Sequence, residues 1–552
     1  MATAIFTILL TLSAFQPPAP DAPLFLPAAS YGTGGYNPLS VVVADVNGDS
    51  KPDMIVANQC GGSVFCMGGG AVGVLLSNGD GTFQAPLIHA SGGSSLHAVA
   101  VGDVNADGKP DLIAANGCAY SGGGFCSGDG VLGVLMGNGD GTFQDARPLA
   151  SGGFDTFDSG VALADVNVDG VPDIIVMHGC ATSCNPNLPP QGSVSILLGT
   201  GSGSFSPAVS YASGGYFATS LAVADLDGNG HLDLVVANWC EDNGHINDCA
   251  TQAPIGVLLG NGDGTFRPAT TYGSGGQGGR AVVVADVNGD GRPDLLTGNC
   301  GPSGCGSFQP GRGVVGVLLG NGDGTFQAAA AYGAGSYMSI AVADVDGDST
   351  LDVLAASMSC PAPGGTGCVE VFVGNGDGSL AAPIPHDAGI LPLSIAAADV
   401  NGDGAPDAVV THEFGNGIGI PPGRVDVLLN NRALIDTTPP VITISAMPNI
   451  LWPPNGTMRP VTISGTISDT GSGVDTTTAA YAVWDEYGAV QPQGVITLDA
   501  DGSYSFTVLL AASVRGHDKD GRRYIVTVSV RDRAGNIASS ASVVTVPHDR
   551  RH

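Results

Sequence analysis

The sequence predicts an all-β protein: a seven-bladed β-propeller with four-stranded blades, followed by a β-sandwich. Three observations lead to this prediction. A short acidic segment recurs seven times, at spacings of 58, 62, 60, 61, 58 and 55 residues. Each period holds four short apolar runs separated by turns rich in Gly and Asp. After residue 432 the period ends and the composition shifts to Thr, Val, Ser and Ala.

The first period shows how one blade is built. Its runs LSVVVAD, DMIVAN, AVGVLLSN and FQAPLIHA are short and bounded by turn residues, which is typical of strands. The NGDGT turn before the last run is an Asp-Gly hairpin signal, which changes to GTGSGSF in the third period. Four short antiparallel strands in each radial repeat predict a propeller, with a linear solenoid as the competing architecture.

The two ends of the repeat region favour closure. The seventh period stops at VDVLLNN after its third strand, whereas residues 22–35, APLFLPAASYGTGG, form a fourth strand without a blade. We therefore expect the N-terminal strand to complete the seventh blade of a propeller over residues 22–432. Residues 433–440 are then a linker, and residues 441–552 form the sandwich.

The acidic segments have the ligand spacing of a calcium loop. Each reads D-x-[DN]-x-[DN]-[GS]-x-x-D, and we call these nine-residue segments the Asp loops. Oxygen ligands at alternate positions suit a hard cation, and flexible coordination suits Ca²⁺ better than Mg²⁺. Position 7 has no shared side-chain chemistry, as expected if only its backbone carbonyl binds. The predicted ligands, at positions 1, 3, 5, 7 and 9, are Asp45, Asn47, Asp49, Lys51, Asp53, Asp103, Asn105, Asp107, Lys109, Asp111, Asp165, Asn167, Asp169, Val171, Asp173, Asp225, Asp227, Asn229, His231, Asp233, Asp286, Asn288, Asp290, Arg292, Asp294, Asp344, Asp346, Asp348, Thr350, Asp352, Asp399, Asn401, Asp403, Ala405 and Asp407.

The alternative for these loops is a set of solvated turns without metal. Such turns would leave several carboxylates close together with no cation to offset their repulsion. We therefore expect about seven structural Ca²⁺ ions, one in each loop.

The cysteines fall in pairs, one pair in each of the first six periods, shortly after the run that follows the Asp loop. Pairing within each loop is the simplest connectivity, because a zinc site would lack its third and fourth ligands. Stable disulfides imply an oxidising compartment. The predicted pairs are Cys60 with Cys66, Cys118 with Cys126, Cys180 with Cys184, Cys240 with Cys249, Cys300 with Cys305, and Cys360 with Cys368.

The Asp loops, with VLLGNGDGTF downstream, resemble the FG-GAP/VCBS repeat family over residues 22–432. That family includes the calcium-loop blades of integrin α-subunits and many bacterial exported proteins. The resemblance implies a calcium-binding propeller. The literal Phe-Gly/Gly-Ala-Pro signature is absent here, so the resemblance does not imply that this protein shares an integrin's ligand or partner.

Charge and the N-terminus bear on location and partners. A net charge of −32 argues against nucleic acid or an anionic membrane as partner. Residues 1–21 contain a short apolar stretch and a Pro-rich linker that suggest a secretion signal, although no Lys or Arg precedes the apolar stretch. The alternative is an N-terminal strand. We expect an extracellular or cell-surface protein without an integral membrane span.

Aromatic residues near the Cys loops, on the end of the propeller opposite the Asp loops, are candidates for binding a glycan or a protein. They are Tyr36, Tyr120, Phe154, Tyr216, Trp239 and Tyr337. The alternative is that they pack between neighbouring loops. No catalytic set of residues stands out.

The function predicted from these features is that of an exported binding or adhesion scaffold. Two alternatives stay open at this point. One is a polysaccharide-active, lyase-like enzyme, and the other is a structural surface-layer or filament component that self-associates. An enzyme would show a deep cleft with convergent Arg or Lys and an unpaired acid or His, whereas a binding protein would show a shallow aromatic surface.

The C-terminal region alternates apolar and polar residues in segments such as PVTISGTISD and RRYIVTVSVRDRAGN, which is typical of strands in a sandwich. Its DTTPPVI entry and its ending in AGN resemble the immunoglobulin-like modules of bacterial surface proteins. This resemblance implies a spacer or binding module.

Overall fold

The computed structural model describes residues 24–62, 69–119, 129–154, 160–179, 191–240, 252–301, 313–359, 367–412, 423–431, 438–469, 473–499, 502–516, 518–532 and 536–548. The predicted signal segment, Tyr120, and the cysteines Cys66, Cys126, Cys180, Cys184, Cys249, Cys305 and Cys360 lie outside these ranges. The chain divides into two compact units: Phe25–Asn430, and a second that contains Asn431–His552.

The first unit consists of seven antiparallel blades, which confirms the predicted all-β class. Five blades are separate four-stranded sheets, and the third and fourth form one seven-stranded sheet because they share a long strand. Blade 1 contains β2 (Tyr36–Ala44), β3 (Asp53–Cys60), β4 (Ala71–Leu75) and β5 (Leu87–Ala90). Blade 2 contains β6 (Ser94–Gly102), β7 (Asp111–Cys118), β8 (Val131–Leu135) and β9 (Arg147–Ala150). Blade 3 contains β10 (Val161–Ala164), β11 (Asp173–His178), β12 (Gln191–Leu197) and the first part of β13 (Val209–Ala224).

Blade 4 begins with the second part of β13 and continues with β14 (Asp233–Cys240), β15 (Pro254–Leu258) and β16 (Thr270–Gly273). Blade 5 contains β17 (Gly279–Ala285), β18 (Asp294–Asn299), β19 (Val315–Leu318) and β20 (Ala330–Tyr332). Blade 6 contains β21 (Tyr337–Ala343), β22 (Asp352–Ser357), β23 (Cys368–Phe372) and β24 (Ile384–Asp387). Blade 7 contains β25 (Pro392–Ala398), β26 (Asp407–His412), β27 (Arg424–Leu428) and β1 (Ala29–Gly32).

The N-terminal strand closes the ring, as the sequence predicts. β1 pairs antiparallel with β27 over Ala29–Gly32, and Phe25 forms a further bridge with Asn430. The first strands of the blades lie side by side, and β2 packs beside both β6 and β25. The blade that the sequence leaves incomplete at its C-terminal end therefore receives its fourth strand from the N-terminal end.

Apolar cores lie between neighbouring blades. The second and third strands of each blade are almost wholly buried, so their sequences read as continuous apolar runs. One such core joins Ile55 and Val72 of the first blade to Leu96 and Leu112 of the second. The GTGSGSF segment still forms the same turn as NGDGTF, because the Thr200 N–H donates to the Ser204 carbonyl as the Asn78 N–H does to that of Thr82.

The second unit contains two antiparallel sheets around one shared apolar core. The first sheet holds β28 (Val441–Ile442), β29 (Ser445–Met447), β30 (Met458–Ser468) and β33 (Ser503–Ala511). The second holds β31 (Val474–Asp485), β32 (Gln493–Val495), β34 (Arg522–Asp532) and β35 (Ile537–Val546). Inside this unit the buried Arg522 guanidinium makes a bidentate pair with Asp485, with N···O distances of 2.5 and 2.9 Å. The immunoglobulin-like relationship stays a prediction.

No helix in the described part of the chain is long and apolar enough to cross a membrane.

Candidate metal centres and central channel

Each Asp loop joins the first and second strands of its blade, so all seven loops lie at one end of the seven first strands. The loop backbone turns through the left-handed region twice, at positions 4 and 6, with φ between 59° and 86°. Position 6 is Gly or Ser throughout. Position 4 is Ala106 in the second loop and Val168 in the third, and Gly elsewhere. The sequence reasoning missed this second left-handed position because those two side chains hide the preference for glycine.

The position-1 carboxylate organises the loop by accepting backbone hydrogen bonds. In all seven loops one of its oxygens accepts from the N–H of position 6, at 2.7 to 3.0 Å. Burial acts to raise the pKa of Asp45, but the N–H groups of Ser50, Gly48 and Asn47 outweigh it, and the pKa lies below its ordinary value. The first loop therefore favours the ionised form of Asp45, which is the form that a cation needs.

Positions 3, 5 and 7 are linked in the same way in every loop. The side-chain oxygen of position 3 accepts from the N–H of position 5, and the position-5 oxygen accepts from the N–H of position 7. The second of these bonds forms whether position 7 is Lys51, Val171, His231 or Ala405. Position 7 thus takes part in the loop through its backbone N–H, whereas metal binding by its carbonyl stays a prediction.

The position-9 aspartates differ from the other predicted ligands because they are fully buried. One oxygen of Asp53 accepts from the Val46 N–H and the other from the Ser77 N–H, at 3.1 and 2.8 Å. Ser77 lies just beyond the third strand, and the corresponding pair of bonds recurs in all seven blades. Each position-9 carboxylate therefore connects its Asp loop to the end of the third strand.

Burial raises the pKa of every position-9 carboxyl, to about 6 for Asp352 and about 7 for Asp407, while the backbone N–H groups oppose the rise. Sequence reasoning gave this residue only the role of a metal ligand. Its structural role depends on a contact some two dozen residues away, which loop spacing alone does not reveal.

The loops fit a hard cation by their donor atoms. In the fourth loop, carboxylate oxygens of Asp225, Asp227 and Asp233 lie within 4.8 Å of one another. In the sixth loop the same holds for Asp344, Asp346 and Asp348. In four of the loops that have Asn at position 3, the side-chain N–H of that Asn donates a hydrogen bond to the position-5 carboxylate. An all-oxygen set of this kind matches calcium chemistry.

The cysteines inside the described ranges lie at the opposite end of the blades. Cys60, Cys118, Cys240, Cys300 and Cys368 are buried, and the described part of the chain holds no free cysteine. The other member of each pair lies outside the described residues, so pairing within each loop stays a prediction.

The aromatic candidates do not form one exposed surface. Tyr36, Phe154 and Tyr216 are half-buried. Trp239 is buried beneath the Arg280 guanidinium, which lies 4.8 Å from its ring centroid. Tyr337 is fully buried and donates its hydroxyl to Glu370 at 2.7 Å. The prediction that Trp239 and Tyr337 present rings to a ligand is therefore wrong, because both fill space within or between blades.

A central channel of about 320 Å³ runs between the first strands, and all seven blades contribute to its lining. None of the described residues that line it is acidic. His97 and Arg280 line it from the second and fifth blades, which face each other across a ring of seven. Sequence reasoning missed this site, because residues from seven separated strands create it.

Comparison with known proteins agrees with this description. The model of the FG-GAP-like repeat matches residues 64–114, 187–236, 249–297 and 307–355. The chain contains FG-GAP-like repeats. Each matched segment includes one Asp loop and the first part of the strand that follows it, and each begins in or near the Cys loop of the preceding blade.

No curated protein matches the chain. Among solved structures, it is similar to BBS1N in a crystal structure with ARL6DN, at 13% identity and a TM-score of 0.43, over 74% of this chain and 98% of that one. It is also similar to the exotype rhamnogalacturonan lyase YesX, at 14% identity and a TM-score of 0.41, over 75% of each chain.

Proposed function

We propose that the protein is an exported, calcium-stabilised propeller that binds a glycan at the end opposite its Asp loops or in the channel that opens there. The observation that carries this proposal is the sevenfold repetition of one loop geometry at one end of the disc. Seven bound cations would fix that end, leaving the other free to hold a ligand on a rigid frame.

Calcium would be held by the side chains of positions 1, 3, 5 and 9 of each loop and by the backbone carbonyl of position 7, as the spacing predicts, with the position-9 carboxylate fully buried. When bound, it neutralises carboxylates that otherwise repel one another. The chain's own part is to hold those oxygens in place through the backbone N–H groups of positions 5, 6 and 7. Export is supported by the absence of free cysteines from the described residues, and by calcium levels outside cells that suit weak loop sites.

Binding rather than catalysis is proposed because of what lines the channel. A lyase or hydrolase needs an acid or base pair poised on the scissile group. The described lining offers one His and one Arg from two blades, serine hydroxyls from four others, and no carboxylate. This set can hold a polyhydroxylated ligand by hydrogen bonds.

A glycan array probed with the purified, calcium-loaded full chain tests the proposal. We expect retention on at least one class of immobilised glycan, and loss of that retention after EDTA. The masses of the retained glycans, measured by mass spectrometry after recovery, should equal those of the intact glycans. Shortened or unsaturated products would contradict the binding assignment in favour of an enzyme, and the absence of retention on any glycan would overturn it.

A further inference from the structure

The sandwich of the second unit has one long edge strand without the features that usually protect the edge of a sheet. β35 lies at the end of its sheet, pairs with β34 without a bulge, and contains no Pro and no charged residue. In the propeller, by contrast, six of the seven blades end in a fourth strand of three or four residues. A long, uncharged edge is prone to pair with a further strand.

The side of β35 that faces away from β34 is open over one stretch. The Thr545 N–H donates to the Asn449 carbonyl, and the Thr545 carbonyl accepts from the Leu451 N–H, both at 2.9 Å. Backbone groups alternate in direction along an antiparallel strand, so every second residue before Thr545 points to that same side. These residues are Ile537, Ser539, Ala541 and Val543.

All four of these residues are exposed, and their outward backbone groups have no backbone partner within the described part of the chain. We call the segment Ile537–Val543 the open edge. It is bounded by the start of the strand at one end and by the contact of Thr545 at the other. A row of unpaired N–H and C=O groups can accept one more strand.

The open edge is complementary to a second copy of itself. It is apolar at both ends, where Ile537 is 55% and Val543 is 38% exposed, and its middle consists of Ala and Ser. Two such edges can pair antiparallel about a two-fold axis at Ser540. Each Ile537 then lies opposite Val543 of the second copy, and each Ser539 lies opposite Ala541. In this register every facing pair exchanges two backbone hydrogen bonds.

An apolar row on the outer face of the sheet ends at this edge. Trp484 pairs with Ile525, and Ile525 pairs with Val543, so the three side chains cross the sheet side by side. Trp484 is 49% exposed. Ile537 of a second copy would extend the row across the junction. Apolar pairs on neighbouring strands stabilise a sheet.

The distribution of charge also favours contact between copies through the sandwich. Residues 433–552 contain nine Lys and Arg and eleven Asp and Glu, a net charge of −2, whereas residues 1–432 carry the remaining −30. Contact between two propellers would bring these like charges together. Contact between two open edges brings no charged side chain of β35 against another.

The other long edge of the sandwich, β33, is less suited to such pairing. At its C-terminal end the Tyr524 hydroxyl accepts from the Ala511 N–H and donates to the Ala511 carbonyl. Two copies paired about Thr507, in the middle of its exposed residues, would place the apolar Leu509 opposite Ser505. β33 therefore provides the control for β35.

We propose that the protein forms a symmetric dimer in which the open edges of two copies pair, joining two four-stranded sheets into one sheet of eight strands. The surface belongs to the second unit, and the inference does not rest on the proposed glycan binding. A contact through one strand is small beside the roughly 1,200 to 2,000 Å² that standard interfaces bury. We therefore expect a reversible dimer whose fraction rises with concentration.

Sedimentation velocity of the calcium-loaded full chain, from about 1 to 100 μM, tests the proposal in the range expected for weak interfaces. We expect a monomer at the lowest concentration and a growing dimer fraction above it. Ala541→Lys places like charges on both edges and should raise the dissociation constant of the dimer at least about tenfold. Thr507→Lys adds the same charge to the exposed middle of β33 and should leave that constant unchanged.

Disulfide trapping tests the register and keeps the proposal testable if Ala541→Lys fails to fold. At a two-fold axis the Cα atoms of the two Ser540 residues would lie about 4.5 Å apart, within the reach of a disulfide. Ser540→Cys should therefore give a covalent dimer on a non-reducing gel after mild oxidation. Ser542→Cys, on the same face, would lie roughly 13 Å along the strand from its counterpart and should give none.

Three results would overturn the proposed dimer. They are a monomer at every concentration, a dimer that survives Ala541→Lys, and equal cross-linking of Ser540→Cys and Ser542→Cys.

Discussion

At the scale of the residue, the Asp loops show how one position can serve backbone geometry instead of metal binding. Val168 occupies position 4 of the third loop with a φ of 59°, a conformation that costs a β-branched residue roughly 1 to 2 kcal/mol. The equivalent positions in five other loops are glycine. Val168 is also 60% exposed, so it gains little burial in return.

Val168→Gly should therefore raise the free energy of unfolding by about 0.5 to 1 kcal/mol, after allowing for the greater freedom of glycine in the unfolded chain. The matched control is Gly228→Val in the fourth loop. An added Cβ at Gly228 would meet nothing within 4 Å, so only backbone strain changes, and stability should fall. Urea unfolding of both variants measures the effect, and a fall in stability for Val168→Gly would refute the strain argument.

At the scale of the element, one backbone hydrogen bond between neighbouring blades recurs at three of the interfaces between blades. The N–H of Gly203, in the turn of the third blade, donates to the Val104 carbonyl in the Asp loop of the second, and the same bond joins later blades. Edge-to-face aromatic pairs add to the contact between blades. In one of them, the rings of Tyr31 in the seventh blade and Phe83 in the first have centroids 5.4 Å apart. An Asp loop is therefore part of the contact between blades.

Two substitutions in the second loop distinguish the structural role of its buried carboxylate from the proposed metal-binding role of its exposed one. Asp111→Asn replaces one acceptor with a donor that faces a buried N–H, so unfolding should become easier by about 1 to 3 kcal/mol even in EDTA. Asp107→Asn changes an exposed oxygen, so stability in EDTA should stay within about 0.5 kcal/mol while calcium affinity falls.

Denaturant titrations with and without calcium distinguish these outcomes. Equal stability of wild type and Asp111→Asn in EDTA would show that the buried carboxylate serves the metal alone.

At the scale of the whole molecule, the repeated features could be predicted from sequence and the long-range ones could not. Strand positions and loop spacing follow from patterns that recur seven times. Closure by β1 follows from the missing fourth strand of the last period and the extra strand before the first. The burial of Tyr337 depends on Glu370, which lies on another strand, and the channel depends on residues from seven blades. Such contacts leave no local period in the sequence.

Calcium would connect these scales, because one ion in each loop would stabilise every blade contact together. At roughly 0.1 mM affinity in roughly 1 mM calcium, each site would contribute about 1.4 kcal/mol, and seven would contribute about 10 kcal/mol. That total is comparable to the net stability of a typical domain, about 5 to 15 kcal/mol. The fold of this molecule would then depend on the calcium of its surroundings.

The most direct test is a thermal melt of the full chain under non-reducing conditions, calcium-saturated against EDTA-treated, with bound metal measured in parallel. The account predicts about seven calcium ions per chain and a fall in Tm on the order of 10 °C after EDTA. A chain that binds no calcium and melts at the same temperature in both conditions would contradict it.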